Sequence, residues 1–425
     1  MKCARSWICW AVAVVWLFLG VSAPAAEDFF LRDGQRVIFL GDSITQAGTY
    51  VHLIETFVHT RYPDRVVEII NHGISSETIS GTSEIDHNPR RPDAQNRFAR
   101  DVAAWKPDVL VACFGMNDGN YHPFDQPRFA AYQAGVRRLI QRTRDEAGAS
   151  LVLLTPPPFD AYRRKAGDPE AKYFGYKYPA LDYDTTLSRY SDWLLTLQRE
   201  QIPVVDLHSA INRHVTERRR TVVSFHVSPD AIHPNITGHW LMAQQVLSAW
   251  NAASEVANVR LDSLKLEVIS GDVDRFSRSA SGLRFRWKSR LPMPFDAAID
   301  RESLAVDRSF DRFNQYRLVV TGLDQNQYRI YVGETVLGDV SAAALEKGID
   351  LNSFPALPTH AQAVKVWQLV RDRQKTVYAD WRKQIASDEP APDVARRPKL
   401  EDDPSWKAIR DASQPMVMEI RLQPR

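Results

Sequence analysis

Four short stretches carry residue types that together could run an acyl-transfer reaction. Gly41-Asp42-Ser43-Ile44 sets a hydroxyl just after the apolar run Val37 to Leu40, and Asp230-Ala231-Ile232-His233 spaces a carboxylate three residues from an imidazole. Between them lie Asn71-His72-Gly73-Ile74-Ser75 and Gly115-Met116-Asn117-Asp118. A serine hydroxyl is a poor nucleophile until a base takes its proton, so a histidine must reach it. The imidazole in turn needs a carboxylate on its other nitrogen, which fixes the tautomer and stabilises the charged ring. Asp-x-x-His supplies both on one turn. Attack on a carbonyl also creates an oxyanion, which needs preorganised donors in a dry place. Each stretch has a plainer use as well. Asp42 and Ser43 suit a helix cap, Asp230 to Asn235 a helix entry with Pro234 in it, and Gly73 a turn. Asn117 is harder to explain that way, because it follows a very apolar strand directly. No stretch decides the matter alone.

The elements that would position them can be read in order. Val37–Leu40 predicts a buried parallel strand ending at Gly41, with a helix beginning near Ser43. Further strands are predicted at 66–70, 108–114 and 150–154, with a shorter one at 202–206. Amphipathic segments at 132–144 and 187–198 separate them, and 240–250 closes the series. Strands divided by helices of this length mean crossovers and a parallel sheet covered on both faces. In such sheets the chemistry sits at the carboxyl ends of the strands. All four stretches fall at those ends or at a helix entry. Two polar inserts join the same edge. Residues 80–95 read as a loop, and 160–184 carries Tyr162, Tyr173, Phe174, Tyr176, Tyr178 and Tyr183. Those rings could stack on a sugar or cover an acyl chain, or simply pin a long loop.

The four stretches, in this order, resemble the conserved blocks of the SGNH hydrolases, the GDSL-type esterases and lipases. The resemblance runs from about Arg36 to Ala253. It implies a three-layer α/β/α sandwich with a five-stranded parallel sheet, the flavodoxin-like SGNH fold, and a serine esterase activity. It also implies roles: Ser43 as nucleophile, His233 as base and Asp230 as its partner, with Ser43 N–H, Gly73 N–H and the Asn117 amide as the oxyanion hole. Asp118 would be structural. The Gly-x-Ser-x-Gly elbow of the α/β-hydrolases does not occur.

The chain has 425 residues, 44% hydrophobic and 25% charged, enough for more than one domain. Residues 1–26 read as a signal peptide, with Lys2 and Arg5, an apolar stretch from Trp7 to Gly20, and Ala23-Pro24-Ala25 as a cleavage site. The expected product is secreted or periplasmic. It has no membrane span, since no later apolar stretch is long enough. Cys3 and Cys9 would leave with the signal, so Cys113 remains as a buried core thiol, with no disulfide framework. The chain holds 54 lysines and arginines against 52 acidic residues, and loss of Lys2 and Arg5 balances the two. That balance gives no reason to expect nucleic acid as a partner. No nucleotide or zinc-protease motif occurs, and the spacing of His72, Asp86 and His87 fits no standard metal site, so neither cofactor nor metal is expected.

The SGNH domain is expected over 27–254. Alternating segments at 259–269, 282–288, 316–321 and 327–332 then predict a small antiparallel β-module over 255–340. A helical and extended portion, 341–425, follows, with a helix over 361–381, a proline- and charge-rich connection at 387–403 and a strand at 416–422. Either the region past the first domain is a separate module that only targets or docks, or this helix folds back onto the first domain, which its large apolar residues Trp367 and Trp381 favour. The expected function is hydrolysis of carboxylic esters through an acyl-enzyme, with O-acetyl groups on a polysaccharide favoured as substrate. Lipolytic action on lysophospholipids or short acyl esters is the alternative within the class. A non-catalytic glycan-binding protein is the alternative outside it. Oligomeric state is not readable from the sequence.

Overall fold

The computed structural model describes residues 28–85, 87–163, 170, 180–386 and 399–425. The expected signal segment, Asp86, Tyr173, Phe174, Tyr176, Tyr178 and most of the connection at 387–403 lie outside the described residues.

Five strands form one sheet: β1 (Arg36–Gly41), β2 (Glu68–Gly73), β3 (Val109–Cys113), β4 (Ser150–Leu154) and β5 (Val204–Val205). All pair in parallel, in the order β2-β1-β3-β4-β5. Their β-branched and aromatic side chains alternate between two cores. Val37 and Phe39 enter one with Leu53, Phe57, Trp240 and Leu247, while Ile38 and Leu40 enter the other with Phe98, Tyr132 and Leu194. Helices therefore cover both faces, as an all-parallel sheet requires. They are α1 (Ser43–Ala47), α2 (Thr49–Arg61), α3 (Ala94–Asp101), α4 (Gln126–Arg142), α5 (Tyr183–Thr196), α6 (His208–Arg219) and α7 (Ile236–Ala249). The strand order reverses between β1 and β3, which is where sheets of this kind place a crevice at the carboxyl ends of the strands. β2 runs three residues beyond its apolar stretch, because the pairing with β1 continues through Asn71, His72 and Gly73.

Past residue 254 come β6 (Glu255–Asp262), β7 (Glu267–Ser270), β8 (Val273–Ser279), β9 (Gly282–Ser289), β10 (Gln315–Thr321), β11 (Gln327–Val332), β12 (Thr335–Ser341), β13 (Ile349–Asp350) and β14 (Met416–Pro424). They make two sheets, ordered β13-β10-β6-β7 and β12-β11-β14-β9-β8, around a shared core that includes Leu261, Phe285, Tyr316, Ile330 and Ile420. Two features differ from a small antiparallel module over 255–340. β6 and β10 are parallel, which the long connection between them permits. β14, from the far end of the chain, sits in the middle of the second sheet, so the unit is incomplete at residue 340. Within the connection, α8 (Arg301–Val306) and α9 (Ser309–Phe313) lean on the first domain, whose core takes in Met293, Ile299, Leu304 and Phe313.

After α10 (Ala342–Lys347), the long helix α11 (Pro358–Ala386) folds back across the first domain. Trp367 joins one of that domain's cores and Trp381 the other. Trp381 stacks on His72 with ring centroids 4.2 Å apart. Gln374 Nε2 donates to Glu55 Oε2 and to the Ile69 carbonyl, and the Tyr378 hydroxyl donates to the Gly73 carbonyl at 2.9 Å. The apolar side of α11 thus needs no cover from the β-sheets. α12 (Pro404–Ser413) buries Ile409 against Val366 and Val370 of α11. Among the described residues no helix is long and apolar enough to cross a membrane.

Candidate active site

β1 ends at a position that only glycine fits. A Cβ on Gly41 would lie 2.3 Å from Thr45 Oγ1 and 2.7 Å from the Cys113 carbonyl. The chain therefore turns tightly against β3 and starts α1 at Ser43. Asp42 caps that helix, its Oδ1 accepting from Ile44 N–H at 2.9 Å. Burial pushes the Asp42 carboxyl up to about 7, against which that hydrogen bond works only in part. The cap and the hydroxyl thus coexist: Asp42 does the capping, and Ser43 is left to face the crevice.

Ser43 Oγ lies 2.8 Å from His233 Nε2, and His233 Nδ1 lies 2.7 Å from Asp230 Oδ2. Burial raises the Asp230 carboxyl, but hydrogen bonds from the His233 ring and from the backbone N–H groups of His233 and Ile232 outweigh it and hold the group below its ordinary value. An ionised carboxylate only accepts, so the Nδ1 proton points at Asp230, and a neutral ring then turns its Nε2 lone pair to the serine hydroxyl. The turn that does this is tight. Ala231 takes φ 77°, a left-handed conformation unusual for alanine, and its carbonyl is pinned by Asp160 N–H at 2.9 Å. Asn235 then caps α7 by accepting from Gly238 N–H. The site is open: the His233 and Asp230 side chains are 46% and 40% exposed.

Asn117 follows the carboxyl end of β3, at the same edge of the sheet as Ser43, and is buried. Its Oδ1 accepts from the Tyr121 hydroxyl at 2.9 Å and from Arg91 Nη1 at 3.3 Å, and its Nδ2 donates to the Glu77 carbonyl at 3.1 Å. Arg91 is itself held by both carboxylate oxygens of Glu84, at 2.7 and 2.8 Å. Asp118, next door, accepts from Ile79 N–H and Ser80 N–H and ties down the loop after β2, which is a structural task. Burial raises its carboxyl to about 6.

Gly73 behaves differently from the expected oxyanion donor. Its N–H donates to Asn71 Oδ1 at 2.9 Å, and Asn71 Nδ2 donates on to the Thr45 carbonyl. The glycine is needed for a close approach, since a Cβ there would stand 2.2 Å from Gln46 N. Its N–H is occupied within the protein. By contrast, Ser43 N–H, first in α1, has no acceptor inside the helix. His72 is buried in an aromatic stack with Trp381 and Trp105, its Nδ1 facing the Asp101 carbonyl at 2.7 Å. Among the described residues no group of three potential ligands could hold a metal. Cys113 is buried and its thiol is pushed well up by burial. Of the aromatic insert, Tyr183 is core and donates to the Met116 carbonyl, whereas Tyr162 is exposed with Arg219 over its ring. Arg91, Glu84 and Tyr121 carry no spacing signal toward Asn117. Nothing in the sequence marks them.

Residues 39–241 match the GDSL-like Lipase/Acylhydrolase family. The first domain belongs to that family. Around this GDSL-like domain the whole architecture has a solved counterpart, a gut microbial diltiazem-metabolizing enzyme. That protein is 21% identical with a TM-score of 0.74, over 93% of this chain and 98% of its own. The chain is also similar over 52% of its length to 96% of an acetylxylan esterase from Geobacillus stearothermophilus, at 23% identity and a TM-score of 0.39. An alpha/beta hydrolase from the metagenome of Lake Arreo, Spain, matches 53% of it over 99% of its own chain, at 23% and 0.40. No curated protein matches the chain. The fold is therefore that of the GDSL-like enzymes, and membership supports ester hydrolysis.

Proposed function

We propose that the protein is a serine esterase that hydrolyses carboxylic esters through an acyl-enzyme. The observation that carries this is the continuous chain Asp230–His233–Ser43, at 2.7 and 2.8 Å. Ser43 Oγ attacks the ester carbonyl while His233 Nε2 takes its proton, and Asp230 stabilises the imidazolium. The tetrahedral oxyanion lies between Ser43 N–H and the Asn117 amide. His233 returns its proton to the leaving alcohol, then activates a water to release the acid. Gly73 N–H can join only by leaving Asn71, so we assign that glycine to packing.

We further propose a small acyl group on a bulky alcohol, with O-acetyl groups on a glycan as first choice. The exposure of His233 and Asp230 supports this, since a large alcohol can stay outside while a short acyl group enters. Export through the segment 1–26 would bring the enzyme to such polymers. The test is a fluorophosphonate label mapped by peptide mass, followed by turnover of acetylated xylan, diltiazem and p-nitrophenyl esters of rising chain length. Labelling at Ser43 and rates that fall with chain length are expected. Labelling elsewhere defeats the mechanism, and a preference for long chains or lysophospholipid would move the substrate to lipids.

A further inference from the structure

We propose that Arg91 and Tyr121 are positioning residues that set the direction and strength of the Asn117 donor; this rests on the oxyanion role given to Asn117 above. A carboxamide can present either its oxygen or its nitrogen to a neighbour, and an oxyanion hole needs the nitrogen. The guanidinium of Arg91 can only donate. With Nη1 at 3.3 Å, it forces the Asn117 atom facing it to be oxygen. Tyr121 adds a second donor to that oxygen at 2.9 Å. On the other side, the Glu77 carbonyl can only accept, and it takes one of the two Nδ2 hydrogens at 3.1 Å. The amide is gripped at three points, and its second N–H is the one left for substrate.

The grip is itself built. Arg91 and Glu84 have side chains 0% and 2% exposed and meet in a two-pronged pair, so the cation is held in place and compensated. Tyr121 is aimed by a turn in which Asn120 and Tyr121 take φ 50° and 56°, successive left-handed conformations without a glycine. Backbone of that kind persists where its surroundings enforce it. Asn120 N–H and Nδ2 both donate to the Asn117 carbonyl, closing the turn on the residue it serves. Two donors on the amide oxygen also draw charge from the amide nitrogen, which strengthens the remaining N–H as a donor when negative charge develops opposite it.

The experiment is a double-mutant cycle on the full chain with p-nitrophenyl acetate. It reads kcat, KM and the rate of fluorophosphonate labelling, which a slow variant still shows over hours. Tyr121→Phe removes one hydroxyl, and Arg91→Lys keeps the charge opposite Glu84 while losing the fork. Each should lower kcat and the labelling rate by about 3- to 30-fold with KM little changed. In an Asn117→Ala background each should have no further effect, because there is no amide left to position. Equal losses with and without Asn117, or losses confined to KM, would overturn the inference and leave the esterase reading standing. Should Arg91→Lys misfold, Tyr121→Phe alone completes the cycle. Full activity in Asn117→Ala itself would instead overturn the oxyanion assignment, and the inference with it.

Discussion

The two sides of the crevice are built on opposite plans. On one side, Asp230 and His233 share a four-residue turn, are nearly half exposed, and hold the serine through single hydrogen bonds. On the other, Asn117 is buried and gripped by Tyr121, Arg91 and the Glu77 carbonyl, with Glu84 behind the arginine. The difference follows from what the proposed mechanism asks of each side. A base must take a proton from the serine, deliver it to a leaving alcohol and admit water, so it needs access and some freedom. A donor for the oxyanion works only if it is already aimed, since reorienting during the reaction would consume the stabilisation it offers.

Breaking the exposed side should have the largest effect. Ser43→Ala should lower kcat by about 10⁴-fold or more while the far-UV spectrum and melting temperature stay near those of the parent. Residual turnover within tenfold of the parent would mean that the chain Asp230–His233–Ser43 is not the reacting one.

The buried side reaches further than the site, and its stability should suffer next. Trp381 stacks on His72 and donates to Asp101, and Arg97 joins Asp101 to Glu77, whose carbonyl holds Asn117. Trp381→Ala should cost about 3–5 kcal/mol in denaturant unfolding. A cost below about 1 kcal/mol would mean that α11 is an ornament on the first domain rather than a part of it.

Asn117→Ala should lower kcat by about 10²–10³-fold with a smaller change in KM. The opposite split, KM raised with kcat intact, would make Asn117 a residue that binds substrate in the ground state.

The smallest effect is one of pH. The Asp42 carboxyl is raised to about 7 by burial, so folding favours its protonated form. The resulting stabilisation is full below the ordinary carboxylate value and is lost as pH climbs through about 7. Asp42→Asn, which keeps an acceptor for Ile44 N–H, should therefore melt close to the parent near pH 4. By pH 8 it should be more stable by about 1–3 kcal/mol. A gap that stays constant across that range would remove burial as the cause.

The exposed side was legible in the sequence because it is local. Asp-x-x-His is complete within four residues, and Gly41-Asp42-Ser43 sits at the end of a strand that its own side chains announce. The five strands and the fold-back of α11 were legible for a similar reason, namely apolar patterns that demand cover. The buried side was not. Arg91 and Glu84 lie in a polar insert and meet Asn117 only through the tertiary fold. Gly73 looked available because its occupant, Asn71 Oδ1, is a side chain turned back within the same strand. Nor does any pattern announce that β14 enters between β11 and β9, since an alternating strand fits an edge as well as a centre.

That last placement bears on how the molecule is made. A ribosome delivers Met416–Pro424 after the four other strands of the second C-terminal sheet, yet these residues lie at its centre, with β9 and β11 bonded to either side. Until they emerge, β8–β9 and β11–β12 are separate hairpins with unpaired edges, and a pair of strands alone is at best marginal in water. The sheet thus closes in a single late event across a long sequence separation, a slow kind of step with interior strand edges open in the meantime. Loss of Met416–Pro424 would remove one of the fourteen strands among the described residues and leave that sheet as two halves.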